Sequence, residues 1–390
     1  HSIEPTASTM SKSGLSIQHI EKQHHQLSVT WKDGHHSFFH YIWLRDNCAC
    51  IECGDRYGGH RYLEFSELPD DITPRNIIVD DEGKLQIEWN NNGHLTTYSA
   101  NWLREHCYSS AAIDERRSKP VLWDSKIGDE IPQWGYKKII EDDASRLQLF
   151  QRINDYGFAI INNVPTQTDE IERLASLFGF IRQTHYGRVF DLISTSQQRI
   201  LAQTSHAIRP HNDENFRDPI PGLFMMHSLQ ASECGGGASI FVDGFNAART
   251  LRQQNREYFD LLCSTPIPHR RFLVDEVDDV AFSANWPVIQ LDHHQDIVAI
   301  HINERTMAPL ENEADLVEPV YHALKAMFKL VYAPQASLEY RLESGQAAIL
   351  DNHRVLHART AFNGNRHIRQ CHVDRDEFFS RLRVLQRQLH

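Results

Sequence analysis

The sequence predicts a mainly β protein with flanking helices, built as a jelly roll preceded by a small β domain. Two patterns carry this expectation. From about residue 136, short apolar runs recur between turn signals, at the spacing of a sandwich or jelly roll. Before residue 110 the strands are fewer, and Leu85-Gln-Ile-Glu-Trp89 has the alternation of a half-buried strand. A third observation sets the early region apart. Cys48, Cys50 and Cys53 crowd into it, where a bound metal would offset a small core.

Residues 1–12 are polar and are read as a tag remnant or disordered leader, with Met10 the natural start. The N-terminal domain is expected over 13–110, with strands at 26–31, 36–43, 85–89 and 94–98. Asp33-Gly34 reads as the hairpin turn between the first two. Residues 99–107 read as a short helix capped by Ser99. Residues 108–135 are polar and poorly periodic, so a linker is expected over 111–135. The second domain, 136–390, opens with an amphipathic helix at 140–155, a buried strand at 157–164 and a helix at 169–177. Strands follow at 222–229, 238–242, 288–291, 297–302, 337–342, 347–350 and 369–373, with one long helix at 315–332.

Composition bounds the function. Apolar residues make up 41% and charged residues 24% of the 390, the balance of a folded chain with a real core. A net charge of −12 argues against nucleic acid as the partner. No apolar run approaches the ~20 residues of a membrane span, and no secretory leader is evident at the start. The cysteine count is seven, with three inside six positions, unlike an evenly spread disulfide framework. A reducing, cytoplasmic setting is expected, with the cluster as a zinc site. A structural zinc needs four ligands. His94 is the chosen fourth, with His106 and Cys107 as rivals; buried or redox-active thiols are the alternative.

The most informative motif is His211-Asn-Asp213, followed far downstream by His357. Two imidazoles and one carboxylate on one face of a ferrous ion leave positions for a 2-oxo acid and dioxygen. On a strand, residues i and i+2 point the same way, so His211 and Asp213 can face one metal. The segment 347–359 offers both His353 and His357. It reads as a strand, a turn and a second strand. His357 is then the ligand and His353 a solvated turn residue. A 2-oxo acid also needs a cation for its far carboxylate, and arginine suits because it binds carboxylates bidentately. Arg366 and Arg369 are the candidates, with Arg366 preferred and Ser239 as a hydroxyl partner.

These residues resemble the γ-butyrobetaine hydroxylase family of Fe(II)/2-oxoglutarate dioxygenases. The resemblance runs from about residue 40 to 385. Trp43-Leu-Arg-Asp-Asn-Cys-Ala-Cys-Ile-Glu-Cys53 is similar to its zinc-domain signature. His94, followed by Ala100-Asn-Trp-Leu-Arg104, matches the place of the fourth zinc ligand. Residues 236–246 match a core strand and turn. Residues 350–359 match the segment of the distal iron ligand, and Ser380-Arg-Leu-Arg383 the C-terminal helix. The resemblance implies a double-stranded β-helix catalytic domain, an N-terminal zinc domain and a homodimer. It implies Fe(II) on His211, Asp213 and His357, 2-oxoglutarate on Arg366, and O2 as co-substrate. The interval between His357 and Arg366 is shorter than in vertebrate members, which keeps Arg369 open.

The family's aromatic cage for a trimethylammonium group is matched in part. Tyr186 and Phe190 occupy two of its positions, while Gln203 and His372 stand where tyrosines are expected. Glu214 replaces a tyrosine that helps hold the substrate carboxylate, and would repel an anion unless paired. Asn303 and Arg305 are placed to meet a carboxylate or phosphonate. The expected activity is hydroxylation of a small zwitterionic amine or quaternary ammonium compound. The resemblance extends this to 2-(trimethylammonio)ethylphosphonate and to trimethyllysine. The alternatives are desaturation or cyclisation of an amino acid-like substrate, or a non-catalytic zinc or thiol protein.

Overall fold

The computed structural model describes residues 15–55, 58–194, 208–233, 237–273, 280–360 and 365–389. The leader at 1–12, Gln203 and Cys234 lie outside them. The chain forms two compact units, up to Ser118 and from Lys119 onward. Among the described residues no helix is long and apolar enough to cross a membrane.

The first unit holds two antiparallel three-stranded sheets. One is β1 (Ile17–Lys22), β2 (Gln26–Trp31) and β3 (His36–His40), which runs into helix α1 (Tyr41–Asp46). The other is β4 (Pro74–Val79), β5 (Leu85–Trp89) and β6 (Leu95–Tyr98), followed by α2 (Ala100–Glu105) and α3 (Ser110–Arg116). Trp31, Phe39, Tyr41, Trp89 and Leu103 are fully or nearly fully buried between these elements. The strand expected over 36–43 stops at His40. From Tyr41 the buried positions are Tyr41, Leu44 and Arg45, the i, i+3, i+4 spacing of a helix, so the period changes from 2 to 3.6 within one apolar run. Ser99 caps α2, its hydroxyl accepting from the Trp102 N–H at 3.1 Å.

The stretch expected as a linker is ordered. Ser109 caps α3, and Ala112 packs into the first unit's core. Trp123 is 5% exposed in the second unit, and its indole N–H donates to Tyr156 O at 2.7 Å. Single apolar residues spaced too widely for any period hold this segment, which is why periodicity did not reveal it.

The second unit continues with β7 (Gln133–Gly135), α4 (Tyr136–Glu141), α5 (Asp143–Tyr156), β8 (Phe158–Asn162), α6 (Glu170–Ser176) and β9 (Phe190–Ser194). Then come β10 (Leu223–Gln230), β11 (Ser239–Asp243), α7 (Gly244–Gln254), α8 (Arg256–Ser264), β12 (Pro266–Leu273), β13 (Val280–Pro287), β14 (Ile289–Leu291) and β15 (Ile297–Ile300). The chain ends with α9 (Ala314–Tyr332), β16 (Leu338–Tyr340), β17 (Ala347–Asp351), β18 (Val355–Arg359), β19 (Arg366–Val373) and α10 (Arg375–Leu389). A six-stranded sheet has the order β7-β8-β17-β10-β19-β9; a three-stranded sheet has the order β16-β11-β18.

Alternation sorts the side chains of the large sheet. Leu223 and Met225, Ala347 and Ile349, Cys371 and Val373 face one way, onto a layer containing Phe150, Leu174 and Phe378. Phe224 and Met226, Ala348 and Leu350, and Ile368 face the other way. There they meet Phe241, Leu338 and Val355 of the small sheet. This inner space houses the candidate site. Gly157 closes α5 at φ +81°, and a Cβ there would lie 2.9 Å from both Arg354 and Val355. The α7–α8 pair and the β12–β13 hairpin escaped the sequence reading. The helices are short and begin at Asp243 and Asn255 caps, and much of β13 is half-exposed.

Candidate active site

His211 sits on a single β-bridge, not on a strand. Its N–H donates to His357 O at 3.1 Å, and the His357 N–H donates back at 2.9 Å. Directly opposed residues of an antiparallel pair project to one side, so the two imidazoles emerge together. Asp213 is brought in by a turn instead of by strand alternation. Asn212 between them is fully buried. Its side-chain amide donates to Ile300 O at 2.6 Å and Asn352 O at 2.9 Å, and its oxygen accepts from the Ile302 N–H at 2.8 Å.

The result is one cluster. Ligand atoms of His211, Asp213 and His357 all lie within 4.8 Å of one another. Asp213 Oδ1 is 3.5 Å from His211 Nε2 and 3.3 Å from His357 Nε2, separations that suit adjacent positions around one ion. His211 Nδ1 lies 2.8 Å from Arg209 O, an acceptor that places the proton on Nδ1 and leaves the Nε2 lone pair to the cluster. Burial works against the Asp213 carboxylate. His357, His211 and His372 beside it outweigh that and hold it well below the usual carboxylate range. Burial also pushes the His357 imidazole down, with Asp213 opposing, so it stands ready as a neutral donor. His353 is not solvated: its Nε2 is buried, and burial pushes it down to about 4. It is not part of the cluster.

These groups border a cavity of about 500 Å³. Its lining includes the aromatic rings of Tyr186, Phe190, Phe216 and Phe224. It also includes Arg271, Arg305, Arg359 and Arg366, together with the acidic Asp191 and Glu214. Burial, then the neighbouring Arg359, pushes Arg366 down to about 10. Ser239 also lines the cavity and stands opposite Arg359 in the β11–β18 register. Asn303 lines it too. Arg359 was missed from the sequence, although it lies two residues beyond His357 on one strand face. Arg369 does not line the cavity. Arg366, Ile368, Gln370 and His372 alternate inward, which turns Arg369 outward, opposite Asp191 at 3.5 Å.

Glu214 borders the cavity but is not a bare anion. It is 6% exposed, adopts φ +57°, and pairs with Arg217 Nε at 3.1 Å. The Arg217 guanidinium donates in turn to His185 Nδ1 at 2.7 Å and lies over Phe282. The repulsion expected from sequence is thereby balanced inside the protein. His372 also lines the cavity, with Nε2 2.9 Å from Asp213 Oδ2.

In the first unit, the Sγ atoms of Cys48, Cys50 and Cys53 lie 3.5, 3.4 and 3.4 Å from His94 Nε2. Tetrahedral zinc, with bonds of ~2.3 Å to sulfur and ~2.0–2.1 Å to nitrogen, separates S from N by ~3.5 Å. The four donors fit that ion. Cys107 is engaged elsewhere, accepting from Ser37 Oγ at 3.1 Å, and His106 Nδ1 is 2.7 Å from Trp102 O. Gly54 closes the cysteine turn at φ +87°, and a Cβ there would meet His60 O at 2.5 Å.

Comparison with known proteins fits this architecture. Residues 125–372 match the taurine catabolism dioxygenase TauD, TfdA family, and residues 18–104 match the γ-butyrobetaine hydroxylase-like N-terminal domain. The chain is 34% identical over 365 residues to a γ-butyrobetaine dioxygenase of Pseudomonas sp. (strain AK-1), covering 93% of this chain and 94% of that one. It is 33% identical over 376 residues to a trimethyllysine dioxygenase of Meyerozyma guilliermondii, covering 92% and 93%. It is 25% identical over 375 residues to the γ-butyrobetaine dioxygenase of Homo sapiens, covering 94% and 95%. The chain belongs to the TauD/TfdA family of iron- and 2-oxoglutarate-dependent dioxygenases, joined to the N-terminal domain of its γ-butyrobetaine hydroxylase-like members.

Proposed function

We propose that this enzyme hydroxylates a small zwitterionic amine or quaternary ammonium compound on a carbon between its cationic and anionic ends. The observation that carries this is the cavity's lining: aromatic rings, several arginines and His211, Asp213 and His357 all border the same space. An ammonium head gains roughly 0.5–2 kcal/mol from an aromatic face, here Tyr186, Phe190 and Phe216. The names of the relatives, γ-butyrobetaine and trimethyllysine dioxygenases, support a quaternary ammonium substrate.

In this reading His211, Asp213 and His357 hold Fe(II), which with 2-oxoglutarate and O2 supplies the oxidising power for C–H hydroxylation. Arg366 receives the far carboxylate of 2-oxoglutarate as a bidentate fork, and Ser239 adds a hydroxyl. Asn303 and Arg305 orient the substrate's anionic end, with Arg271 and Arg359 adding positive charge. That concentration of guanidinium favours a phosphonate dianion, as in 2-(trimethylammonio)ethylphosphonate, over the single charge of γ-butyrobetaine. Cys48, Cys50, Cys53 and His94 hold a structural zinc. The two facing sheets are read as a double-stranded β-helix, and the enzyme as a cytoplasmic homodimer.

The test is succinate formation from 2-oxoglutarate with Fe(II), ascorbate and γ-butyrobetaine, trimethyllysine, the trimethylammonio-phosphonate or their less methylated analogues. His211→Ala and Asp213→Ala are expected to abolish turnover, while His353→Ala retains it. γ-Butyrobetaine as the best substrate of the panel would refute the charge argument.

A further inference from the structure

Resting on the reading of His211, Asp213 and His357 as iron ligands, we infer that His372 is a positioning residue for the Asp213 carboxylate and not a contact for the substrate's cationic end. The backbone of Asp213 is already fixed. Its N–H donates to Asn352 Oδ1 at 2.8 Å, and its carbonyl accepts from Asn352 Nδ2 at 3.1 Å. The residue before it, Asn212, is tied to Ile300 and Ile302. The freedom that remains to Asp213 is rotation of its side chain.

His372 opposes that rotation. Its ring is 2% exposed, stacked on Phe224 with centroids 5.1 Å apart and flanked by Phe190 at 5.7 Å. The ring hangs from the β10–β19 register, in which Phe224 stands opposite His372. Its Nε2 lies 2.9 Å from Asp213 Oδ2. A carboxylate only accepts, so the imidazole donates. The carboxylate is thereby divided: Oδ2 is occupied by His372, and Oδ1 faces His211 and His357. Partners behind metal ligands fix ligand orientation and tune affinity in this way. With that N–H engaged, the nitrogen has no donor for a substrate, and a trimethylammonium head has no use for one.

The test uses Co(II) alone, titrated into protein that keeps zinc at Cys48, Cys50, Cys53 and His94 but lacks iron, without 2-oxoglutarate or amine, and followed by visible absorption. His372→Phe keeps the ring and loses the donor; His372→Gln keeps an N–H. The phenylalanine variant is expected to bind Co(II) roughly 10–100-fold more weakly, with a changed d–d spectrum. The glutamine variant is expected to stay within about 3-fold of the parent, in keeping with its retained donor. If the phenylalanine variant does not fold, as judged by thermal unfolding of the zinc-loaded protein without Co(II), His372→Leu removes the same donor. A donor-less variant that binds Co(II) like the parent, with the same spectrum, overturns the assignment. A parent whose Co(II) binding at this site is unmoved by His211→Ala would instead sink the ligand reading itself.

Discussion

Arg354 offers the clearest test of how the fold supports the site. It lies in the turn between β17 and β18, three residues before His357. Its side chain is 2% exposed and pairs with Asp243, itself fully buried, through Nε and Nη2, each at 3.0 Å. The same guanidinium donates to Asp155 O and Val121 O, both at 2.6 Å. Arg354→Met fills similar space but withdraws all of these donors. Asp243 keeps the Trp123 and Phe245 N–H groups, and Asp155 O keeps the Val121 N–H at 2.8 Å. Breaking a buried pair from one side costs about 3–5 kcal/mol, because it leaves the Asp243 charge uncompensated. At about 2 °C per kcal/mol for a unit of this size, the midpoint of thermal unfolding falls by about 6–10 °C. Asp243→Asn added to Arg354→Met is expected to recover part of the loss, because the uncompensated charge is gone. Calorimetry on the metal-loaded parent, both single variants and the double variant measures this. A drop of less than about 2 °C for Arg354→Met would refute the reasoning, since it would mean that the pair contributes no more than an exposed one.

Two further outcomes follow from the buried histidines and the thiolates. Burial pushes His301 down to about 3 and His269 to about 4, so the unfolded chain binds more protons than the folded one below about pH 6.5. Their stabilising effect is complete above that pH and is lost as pH falls toward the folded values, with a slope of about 1.4 kcal/mol per pH unit for each histidine; urea midpoints from pH 7 to 5 check the sign, and a midpoint that holds steady or rises on acidification contradicts it. Cys50→Ser is expected to release about one zinc per chain and to lower the unfolding temperature of the first unit, because structural zinc contributes folding free energy; elemental analysis that finds no zinc in chelator-free parent protein disproves the site.

Much of the candidate site was legible in sequence because its chemistry is carried by residue type at short spacing. Cys48, Cys50 and Cys53 can only be gathered by a turn, and His211 and Asp213 flank a single residue. His353 lies within the turn from Asp351 to Arg354 and His357 on the strand that leaves it, so only His357 is carried to the cluster. Sequence preferred Arg366 over Arg369, and the short interval after His357 kept Arg369 open. Once β19 begins at Arg366, parity alone sends Arg366 inward and Arg369 outward.

What only the tertiary structure decided concerns charge and contact between distant segments. No local pattern says that Arg217 reaches His185, that His372 turns to Asp213 from 159 positions away, or that Asn352 clasps the Asp213 backbone. Those partners are chosen by sheet register and by the requirement that every buried polar group find a complement. Local sequence determined which chemical groups were present and which strand faces they occupied. Packing determined which of them touch, because hydrogen bonds and ion pairs depend on distances of a few ångströms that chain separation does not fix.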